Sequence, residues 1–574
     1  MHFGWSKGPS SEEPELTIRV LTAVLALSLV ASGCSSAIKN SDVVVPFTAR
    51  SYPADAPAEC PLDDAGNTTL GFKRIVAVDE LTVRFELCAS DPAFLEKISL
   101  APFAINDSGH LITATANDSI NENPIGTGPF YFQDWAHGDQ IILRRFNDYW
   151  GEKAKMDTLI FNWQKESGGR TVALKAGTSD FVSSISPDDM EIAQGDPNLQ
   201  IFQRPPTTTS YVIMNNTYKP FDDVRVRQAV GLALDHARLA ENFYPSGSLP
   251  ASYLVPCVIK LGCGGTPWPE RDIAEAKRLL AEAGFPNGFK TTLTLSDGVR
   301  PWLPLPQESA TDVQSQLAEI GIDAEIVVLE YTTLKQLRKA GKISGILLDG
   351  FNADYLEPSD FLKWLFVDVP ARFGTVDRAI TDPINAAVLA TTLGDRERLY
   401  AEANDAIRVL VPLVPLVQVS SVAAARSDIR GLTPSALEYE VAAPVSAGSR
   451  SSMVWTLADE PMGLWCADNG TIETAKICIQ MFEGLYGVRD ESAAPQPLLA
   501  TKCSSSGDGL VWTCNLRSGV RFHNGATLDA GDVLDSFAVH WDCASPQHRS
   551  TPGAFTYLHL LTPFLHPETC AKPK

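Results

Sequence analysis

The sequence predicts an α/β fold built from mixed sheets, and three observations support that class. Residues 291–295 and 322–329 have the composition of strands and flank a helical pattern over 309–320, which favours two parallel strands joined by a helix. Residues 73–87 alternate apolar and polar positions on both sides of Asp79, which predicts an antiparallel pair. The chain has 574 residues, of which 44% are hydrophobic, so it is large enough for two or three domains.

A second hairpin is predicted near the end of the chain, where Asp508 and Gly509 separate two alternating runs. A two-residue Asp-Gly loop with both residues at positive φ places Cys503 directly opposite Cys514. Cross-strand Cα distances of about 4.5 to 5.5 Å lie within the range that a disulfide tolerates. The register and the cysteines therefore support each other.

The remaining elements follow from the same periodicities. After the hairpin, Asp529 is the predicted N-cap of a helix, and Asp532 adds a second acceptor and negative charge at the same end. Other helices are predicted over 91–100, 224–239, 268–283 and 396–411, and other strands over 130–132, 157–163, 211–215 and 411–419.

The beginning of the chain has the pattern of an export signal. An apolar run over 20–31 follows Arg19, is too short to span a bilayer, and has the length of a signal-peptide core. The small residues before Cys34 resemble the lipobox of bacterial lipoproteins, which implies that Cys34 is lipidated. The alternative is a buried helix with an incidental cysteine. The acidic residues among 12–15 are unusual for such a segment, and a start codon placed too early would explain them.

The eleven cysteines indicate an oxidising compartment, because an even number remains once Cys34 is set aside. The disulfide candidates are Cys503 with Cys514, Cys257 with Cys263, and Cys466 with Cys478. Three pairings stay open for the other four, which are Cys60, Cys88, Cys543 and Cys570. The spacings that indicate a zinc site are missing from the sequence, so neither a metal nor a cofactor is expected.

The formal net charge of −22 argues against nucleic acid or an anionic membrane surface as a partner. The sequence also lacks G-x-S-x-G and H-E-x-x-H, two patterns of common hydrolases. His523 is expected to be a turn residue that hydrogen-bonds the backbone. The protein is therefore expected not to be an enzyme.

Four segments together carry a family resemblance. They are FEGL with RSGVRFHNG (482–485 and 517–525), GTGPF with NDYW (126–130 and 147–150), KPFDDVRVRQA (219–229), and FNADYLEPSDFL (351–362). This set resembles the family 5 bacterial extracellular solute-binding proteins, the peptide- and nickel-binding subunits of ABC importers. The resemblance implies a two-lobe periplasmic-binding-protein (Venus flytrap) fold with an extra small subdomain.

The order of the segments differs from that family, in which the segment resembling 453–574 comes first. Laid on the family, residues 453–574 precede residues 60–434, which predicts a circular permutation. The rival explanation is a gene fusion, with 453–574 as the truncated start of a second copy. Permutation requires the strand over 453–457 to join the sheet that contains Phe130 and Phe161.

The resemblance also implies the domain boundaries. The predicted sections are a signal peptide with lipobox (1–34), the second part of the small subdomain (35–123), the large lobe (124–205), the second lobe (206–415), the return to the large lobe (416–434), a linker rich in Ala and Ser (435–452), the large lobe again (453–487) and the first part of the small subdomain (488–574). Hinge one is placed at 204–209 and hinge two at 415–421.

The predicted ligand residues are Asp354, Tyr355 and Phe351. In peptide-binding members of the family the aspartate of the Ala-Asp pair binds the α-ammonium of the ligand, and Asp354 matches it, although Leu356-Glu357-Pro358 replaces the usual Pro-Asp-Pro. The alternative for Asp354 is a helix cap or a turn. For Tyr355 and Phe351 the alternative is core packing.

The predicted function is that of a monomeric, exported lipoprotein, located in the periplasm or on the outer face of the plasma membrane. It would capture an oligopeptide or a related small ligand in the cleft between the lobes and deliver it to an ABC permease. The alternatives are an envelope sensor or chaperone that binds peptides without transport, and a binder of nickel chelates or other solutes. Nickel is less favoured because the sequence has no His/Cys cluster.

Overall fold

The structure is a computed structural model that describes residues 47–62, 66, 68–117, 119–468, 471–548, 560 and 564–570. The predicted signal peptide, with Cys34, lies outside these residues. Within the described ranges, no helix is both long enough and apolar enough to cross a membrane.

The helices and strands follow one another in four sections of the chain. Section 47–123 contains β1 (Arg50–Tyr52), β2 (Phe72–Asp79), β3 (Thr82–Leu87), α1 (Phe94–Ile98), a 3₁₀ turn (Ala101–Phe103) and α2 (Ser108–Ala116). Section 124–205 contains β4 (Phe130–Ala136), β5 (Gln140–Arg145), β6 (Thr158–Trp163), α3 (Ser167–Ala176), β7 (Phe181–Val182), α4 (Pro187–Gln194) and β8 (Leu199–Gln203).

Section 206–419 contains β9 (Thr208–Met214), α5 (Val224–Ala233), α6 (His236–Phe243), β10 (Leu249–Pro250), α7 (Ile273–Glu282), β11 (Phe289–Ser296), α8 (Pro306–Ala318), β12 (Ile322–Leu329), α9 (Tyr331–Lys339), β13 (Ile346–Asn352), α10 (Pro358–Lys363), a π-helical turn (Trp364–Asp368), a 3₁₀ turn (Pro370–Phe373), α11 (Arg378–Ala387), α12 (Leu393–Leu410) and β14 (Leu413–Val419). Section 420–570 contains β15 (Val422–Arg426), β16 (Ile429–Arg430), β17 (Ser446–Ala447), β18 (Ser452–Leu457), α13 (Ile472–Met481), β19 (Tyr486–Gly487), β20 (Gln496–Pro497), β21 (Ala500–Ser505), β22 (Val511–Leu516), α14 (Ala530–Trp541) and α15 (Pro567–Cys570).

Three sheets organise the molecule. The small subdomain has the order β1-β2-β3-β22-β21, the second lobe β10-β14-β9-β13-β11-β12, and the large lobe β4-β5-β6-β18-β7-β15-β8. The predicted parallel pairing is confirmed, because β11 runs parallel to β12 and β13, while β9 is antiparallel to β13 and β14. The sheets are therefore mixed, and two of them combine strands from early and late sections of the chain.

Strand β18 lies in the middle of the large-lobe sheet. It pairs in parallel with β6 on one side, from Ser452 opposite Thr158 to Leu457 opposite Trp163, and with β7 on the other. Trp455 is fully buried and its indole packs 5.2 Å from the ring of Phe161. The strand therefore occupies the same sheet as Phe130 and Phe161.

Residues 435–452 correct the prediction of a linker. Ser435, Glu440, Val445 and Ala447 are buried, and β17 pairs with β16. A high content of Ala and Ser predicts a flexible segment, but in this protein those small side chains pack against the lobe. Only residues 448–452 are mainly exposed, so the exposed connection is much shorter than predicted.

The second hairpin has the predicted register but a different turn. Cys503 pairs opposite Cys514, whereas the loop has four residues because the N–H of Ser506 donates to Val511 and the N–H of Gly509 donates to Ser506. Gly509 has φ +72°, as predicted, but the backbone of Asp508 does not adopt positive φ. Instead the Asp508 carboxylate accepts hydrogen bonds from the hydroxyl of Ser506 and the N–H of Leu510. The side chain of Asp508 thus stabilises the longer loop.

Helix boundaries differ where an aspartate caps a helix inside a predicted element. The predicted helix over 224–239 is two helices, because Asp235 accepts a hydrogen bond from the N–H of Arg238 and starts α6. Likewise Asp272 caps α7, so that helix begins five residues later than predicted. The capping box of Asp529 and Asp532 is confirmed at α14.

Four cysteine pairs are bonded within the described residues. The three predicted disulfides are formed, and Cys60 bonds to Cys88. Cys543 is also disulfide-bonded.

Two of the sequence motifs meet at one place in the large lobe. A Cβ on Gly126 would lie 2.2 Å from the carbonyl oxygen of Met481, so only glycine permits the GTGPF loop to approach the end of α13. His523 bonds the same loop: its Nδ1 accepts from the N–H of Gly126, and its Nε2 donates to the carbonyl of Gly128. The prediction that His523 hydrogen-bonds backbone is confirmed.

Candidate ligand site between the lobes

The carboxyl ends of three parallel strands form one edge of the second lobe. β11, β12 and β13 run in the same direction, so the loops that follow them lie together at that edge. Asn352, the last residue of β13, is paired with Thr208, which is also paired with Val419 at the end of β14. Hinges one and two therefore cross at the edge where the loop after β13 begins.

Asp354 lies in that loop and its backbone is held firmly. Its N–H donates to Oδ2 of Asp360 at 2.7 Å, and the N–H of Tyr355 donates to the same oxygen at 3.2 Å. Ala353 donates to the carbonyl of Thr207 in hinge one. Burial, followed by the charge of the nearby Asp354, raises the pKa of Asp360 well above its ordinary value. The half-buried Asp354 thus lies beside a second acidic side chain in the same loop.

The two predicted aromatic residues differ in position. Tyr355 is buried, its hydroxyl hydrogen-bonds Ser359, and the ammonium of Lys97 lies 5.8 Å from its ring centre. Phe351 is half-buried and packs edge-to-face against Phe361 at 4.9 Å. Tyr355 is thus a packing contact between the second lobe and the small subdomain, while Phe351 retains some exposure beside Asp354.

Tyr439 connects Asp354 to the small subdomain. The buried Tyr439 and Ala101 line the same small cavity. Burial raises the pKa of Tyr439, and the charge of Asp354 is the second-largest cause of the increase. The side chain of Asp354 therefore lies near that of Tyr439. Because Ala101 belongs to the small subdomain and Tyr439 to the segment after hinge two, three parts of the molecule meet at Asp354.

Helix α1 of the small subdomain faces a buried carboxylate of the second lobe. Glu357 is 3% exposed, accepts from the hydroxyl of Tyr400 at 2.8 Å, and is ion-paired with Arg396. The pKa of Glu96, on α1, is raised to about 7, mainly by burial; among the smaller causes, the charge of Glu357 raises it and that of Arg396 lowers it. Separating the two parts would expose Glu96 to water and return its pKa towards the ordinary value of 4.5.

Contact between α1 and the second lobe is therefore expected to weaken as pH rises from about 4.5 to about 7, because the joined form holds the proton of Glu96 more tightly. Small-angle X-ray scattering at pH about 5 and about 8 would detect this as a larger radius of gyration at the higher pH. The variant Glu96→Gln should show the same radius at both values. An identical pH response in Glu96→Gln would assign the effect to another group.

Hinge one is fixed by a group of four charges, three of them buried, which we call the hinge ion cluster: Arg204, Lys476, Glu438 and Glu440. Nε of Arg204 lies 2.5 Å from Glu440, and both side chains are 1% exposed. Lys476 donates to Glu438 at 2.8 Å. Burial alone would raise the pKa of Glu438, but Lys476 and Arg204 lower it to about 2. The two cations and two anions balance one another where the chain crosses between the lobes.

The sequence did not single out Arg300, which follows β11 at the same edge as Asp354. The carbon at the centre of its guanidinium lies 3.8 Å from the ring centre of Tyr331, which is the first residue of α9 and follows the end of β12 by two residues. The loop also reaches across β13, because the side chain of Trp302 occupies the space that a Cβ on Gly350 would fill. An arginine directly after a parallel strand is the signal that could have identified it.

Metal binding is not indicated by the described ranges, in which no three His, Cys, Asp or Glu side chains are grouped to hold an ion. The arrangement instead offers a carboxylate, a guanidinium and aromatic rings at one edge of a sheet. Those groups suit a small ligand that carries both a positive and a negative charge.

Comparison with known proteins gives a family match. The sequence model of the bacterial extracellular solute-binding proteins, family 5 Middle, matches residues 41–372 and 494–557. Heme-binding protein A of Haemophilus influenzae is 26% identical over 389 residues, which cover 66% of this chain and 70% of that protein. Di/tripeptide-binding protein 1 of Pseudomonas aeruginosa is 29% identical over 385 residues, which cover 64% and 69%.

Solved structures agree with the fold. HbpA2 from Haemophilus parasuis superposes with a TM-score of 0.60 at 26% identity, covering 66% of this chain and 76% of that one. The periplasmic binding protein DppA from Helicobacter pylori, in complex with the peptide STSA, has a TM-score of 0.51 at 27% identity, with 67% and 72% covered. The predicted two-lobe periplasmic-binding-protein fold with mixed sheets is confirmed.

Proposed function

This chain belongs to the family 5 bacterial extracellular solute-binding proteins, and from that premise we propose that it captures an oligopeptide or a related small ligand at Asp354. The observation that carries the proposal is the position of Asp354, in a fixed loop where both hinges, the second lobe and the small subdomain meet. The protein would deliver the ligand to an ABC permease, as expected for a solute-binding subunit of an importer.

Asp354 would accept the ammonium of the ligand. A carboxylate that is partly removed from water makes a strong charge-assisted hydrogen bond with an ammonium group. Arg300, on the same edge of the sheet, would pair with a ligand carboxylate. Its guanidinium has five N–H donors, and the hydrogen bond from Nη2 to the carbonyl of Asp297 uses only one of them.

Capture would couple to movement of the lobes about hinges one and two. A ligand that contacts both the second lobe and the segment carrying Tyr439 binds the joined form more tightly, and it shifts the population towards that form. The protein would bind and release its ligand without a chemical step. The family consists of substrate-binding proteins, which agrees with the expectation that the chain is not an enzyme.

Native mass spectrometry of the protein purified from its own host would test the ligand class. We expect a bound species with the mass of a short peptide, whose affinity is then measured by titration calorimetry with the synthetic peptide. Haem or a metal chelate as the sole bound species would contradict the peptide assignment. Uptake of the labelled peptide by cells that contain the protein, compared with cells that lack it, would separate transport from a sensor or chaperone role.

We also propose that the chain order is a circular permutation of the family order. Its support is that β18 is a central strand of the large-lobe sheet and that β22 pairs with β3 in the small subdomain. A truncated second copy would not be expected to supply the strands that are missing from the sheets formed by the rest of the chain. Residues 448–452, mostly exposed, would then be the joint between the two former ends.

Two rearranged proteins would test the permuted order. A chain that starts at Ser449 and continues from Lys574 into residues 35–448 is expected to keep the circular dichroism spectrum and melting temperature of the parent, because the break falls in an exposed stretch. Deletion of 449–574 is expected to abolish cooperative unfolding, because it removes β18 and β22. If the deleted protein instead folded with unchanged stability, the fusion account would replace the permutation.

The location of the protein follows in part from its family, whose members are extracellular or periplasmic. We further propose that Cys34 carries a lipid anchor that holds the protein at the membrane as a monomer. Metabolic labelling with a radioactive fatty acid should mark the parent protein and not Cys34→Ala. Equal labelling of the two would exclude Cys34 as the attachment site.

A further inference from the structure

A cavity of about 360 Å³ lies in the large lobe. Tyr149 and Trp150 line it on one side and residues 441–444 on another. Both aromatic residues follow β5, whose end pairs with Thr158 at the start of β6, whereas hinge one contacts Ser183 directly after the end of β7. Because β6 and β7 both run parallel to β18, the two aromatic residues and Ser183 lie at opposite ends of the strands.

One buried carboxylate holds three of the lining side chains in place. The side chain of Glu483 is fully buried and accepts from the hydroxyl of Tyr149 at 2.8 Å, from Nε1 of Trp150 at 2.7 Å and from Nη2 of Arg489 at 3.0 Å. Thr127 donates to it as well, at 3.1 Å. The two rings and the guanidinium are therefore fixed before any ligand arrives, which lowers the entropy cost of binding.

One guanidinium group, that of Arg489, lines the cavity, and a second lies against the ring of the lining residue Trp150. The side chain of Arg489 is 22% exposed and has five N–H donors, of which Glu483 takes only part. The centre of the Arg517 guanidinium lies 4.4 Å from the ring centre of Trp150. Of the two carboxylates beside the cavity, Glu483 is engaged with these donors and Glu152 is exposed. A ligand with a negative charge is thus favoured over one with a positive charge.

We propose that this cavity is a second ligand site that takes a small planar carboxylate, with the carboxylate against Arg489 and the apolar plane against Tyr149 and Trp150. The planar fork of a guanidinium matches the geometry of a carboxylate, and aromatic side chains bind flat rings through their faces. The volume lies at the lower end of the range of small-molecule pockets, which suits a ligand of one ring. The site is separate from Asp354 and does not depend on the peptide assignment.

Titration calorimetry with three probes of similar size would test the site: benzoate, cyclohexanecarboxylate and benzylamine. We expect saturable binding of benzoate with a dissociation constant of about 1 mM, weaker binding of cyclohexanecarboxylate, and no measurable binding of benzylamine. Asp354→Ala should bind benzoate as the parent does. Arg489→Lys keeps a positive charge beside Glu483 but loses the fork, and should bind benzoate about tenfold more weakly.

A variant that fills the cavity provides the second arm. Thr433 is exposed at the rim, and Thr433→Trp should abolish benzoate binding with little effect on the melting temperature. Val172→Trp, on the exposed side of α3, is the matched control and should bind benzoate normally. The proposal is overturned if benzoate does not saturate the parent protein, if Thr433→Trp binds it unchanged, or if Asp354→Ala abolishes its binding.

Discussion

Replacing Asp354 by alanine is expected to weaken the binding of a peptide with a free amino terminus by about 2 kcal/mol or more, which is about thirtyfold. The loss has two causes. The charge-assisted hydrogen bond disappears, and the ammonium of the ligand is left partly buried without a counter-ion. Titration calorimetry of the parent and the variant with the peptide found by mass spectrometry measures the difference directly.

Two controls assign that loss to the ammonium. The same peptide with an acetylated amino terminus should bind the parent weakly and should be affected much less by Asp354→Ala, because it has no charge to lose. Asp382→Ala removes an aspartate that is 57% exposed on α11 of the same lobe and should leave the affinity unchanged. Equal peptide affinity in the parent and Asp354→Ala would remove Asp354 from the site.

Replacing Arg204 by methionine is expected to destabilise the protein by about 3 to 5 kcal/mol, the cost typical of breaking a buried ion pair from one side. The hinge ion cluster would then contain two anions and only Lys476 as a cation. Glu440, 1% exposed, would lose its ion-pair partner while it remains buried. Urea unfolding followed by tryptophan fluorescence gives the shift in the transition midpoint.

The matched comparison is Arg278→Met on α7. Arg278 is 53% exposed and ion-paired with Glu275 and Glu282, so its loss should shift the midpoint much less than the loss of Arg204 does. The double variant Arg204→Met with Glu440→Leu removes one charge of each sign from the cluster and should recover much of the lost stability. A similar small effect of Arg204→Met and Arg278→Met would show that the cluster is not buried in solution.

The sequence predicts elements well where a periodic pattern is long, and less well where one side chain decides a boundary. The register of Cys503 with Cys514 follows from alternation alone. The loop between them does not, because it depends on whether the Asp508 side chain bonds its neighbours or the backbone adopts positive φ. Asp235 has the same ambiguity: within a helical pattern it looks like an exposed helix residue, yet it caps a new helix.

The candidate site shows a further limit. Asp354 could be predicted because a motif surrounds it, whereas Arg300 acquires its position only through the pairing of β11 with β13, some fifty residues later in the chain. Residues 435–447 look like a linker by composition because small side chains serve both flexible segments and tight packing. Only the tertiary structure distinguishes those two uses.

The central place of β18 has a consequence for the order in which the molecule assembles. All strands of the second lobe lie between β9 and β14, so that lobe can fold while the rest of the chain is still emerging from the ribosome or the export channel. The large-lobe sheet can be completed only after β18 has been synthesised, because the hydrogen bond of Thr456 with Asn162 joins residues 294 positions apart. Until β18 is synthesised, the edges of β6 and β7 that pair with it are exposed and prone to aggregation, so we expect the folding of this protein to depend on chaperones.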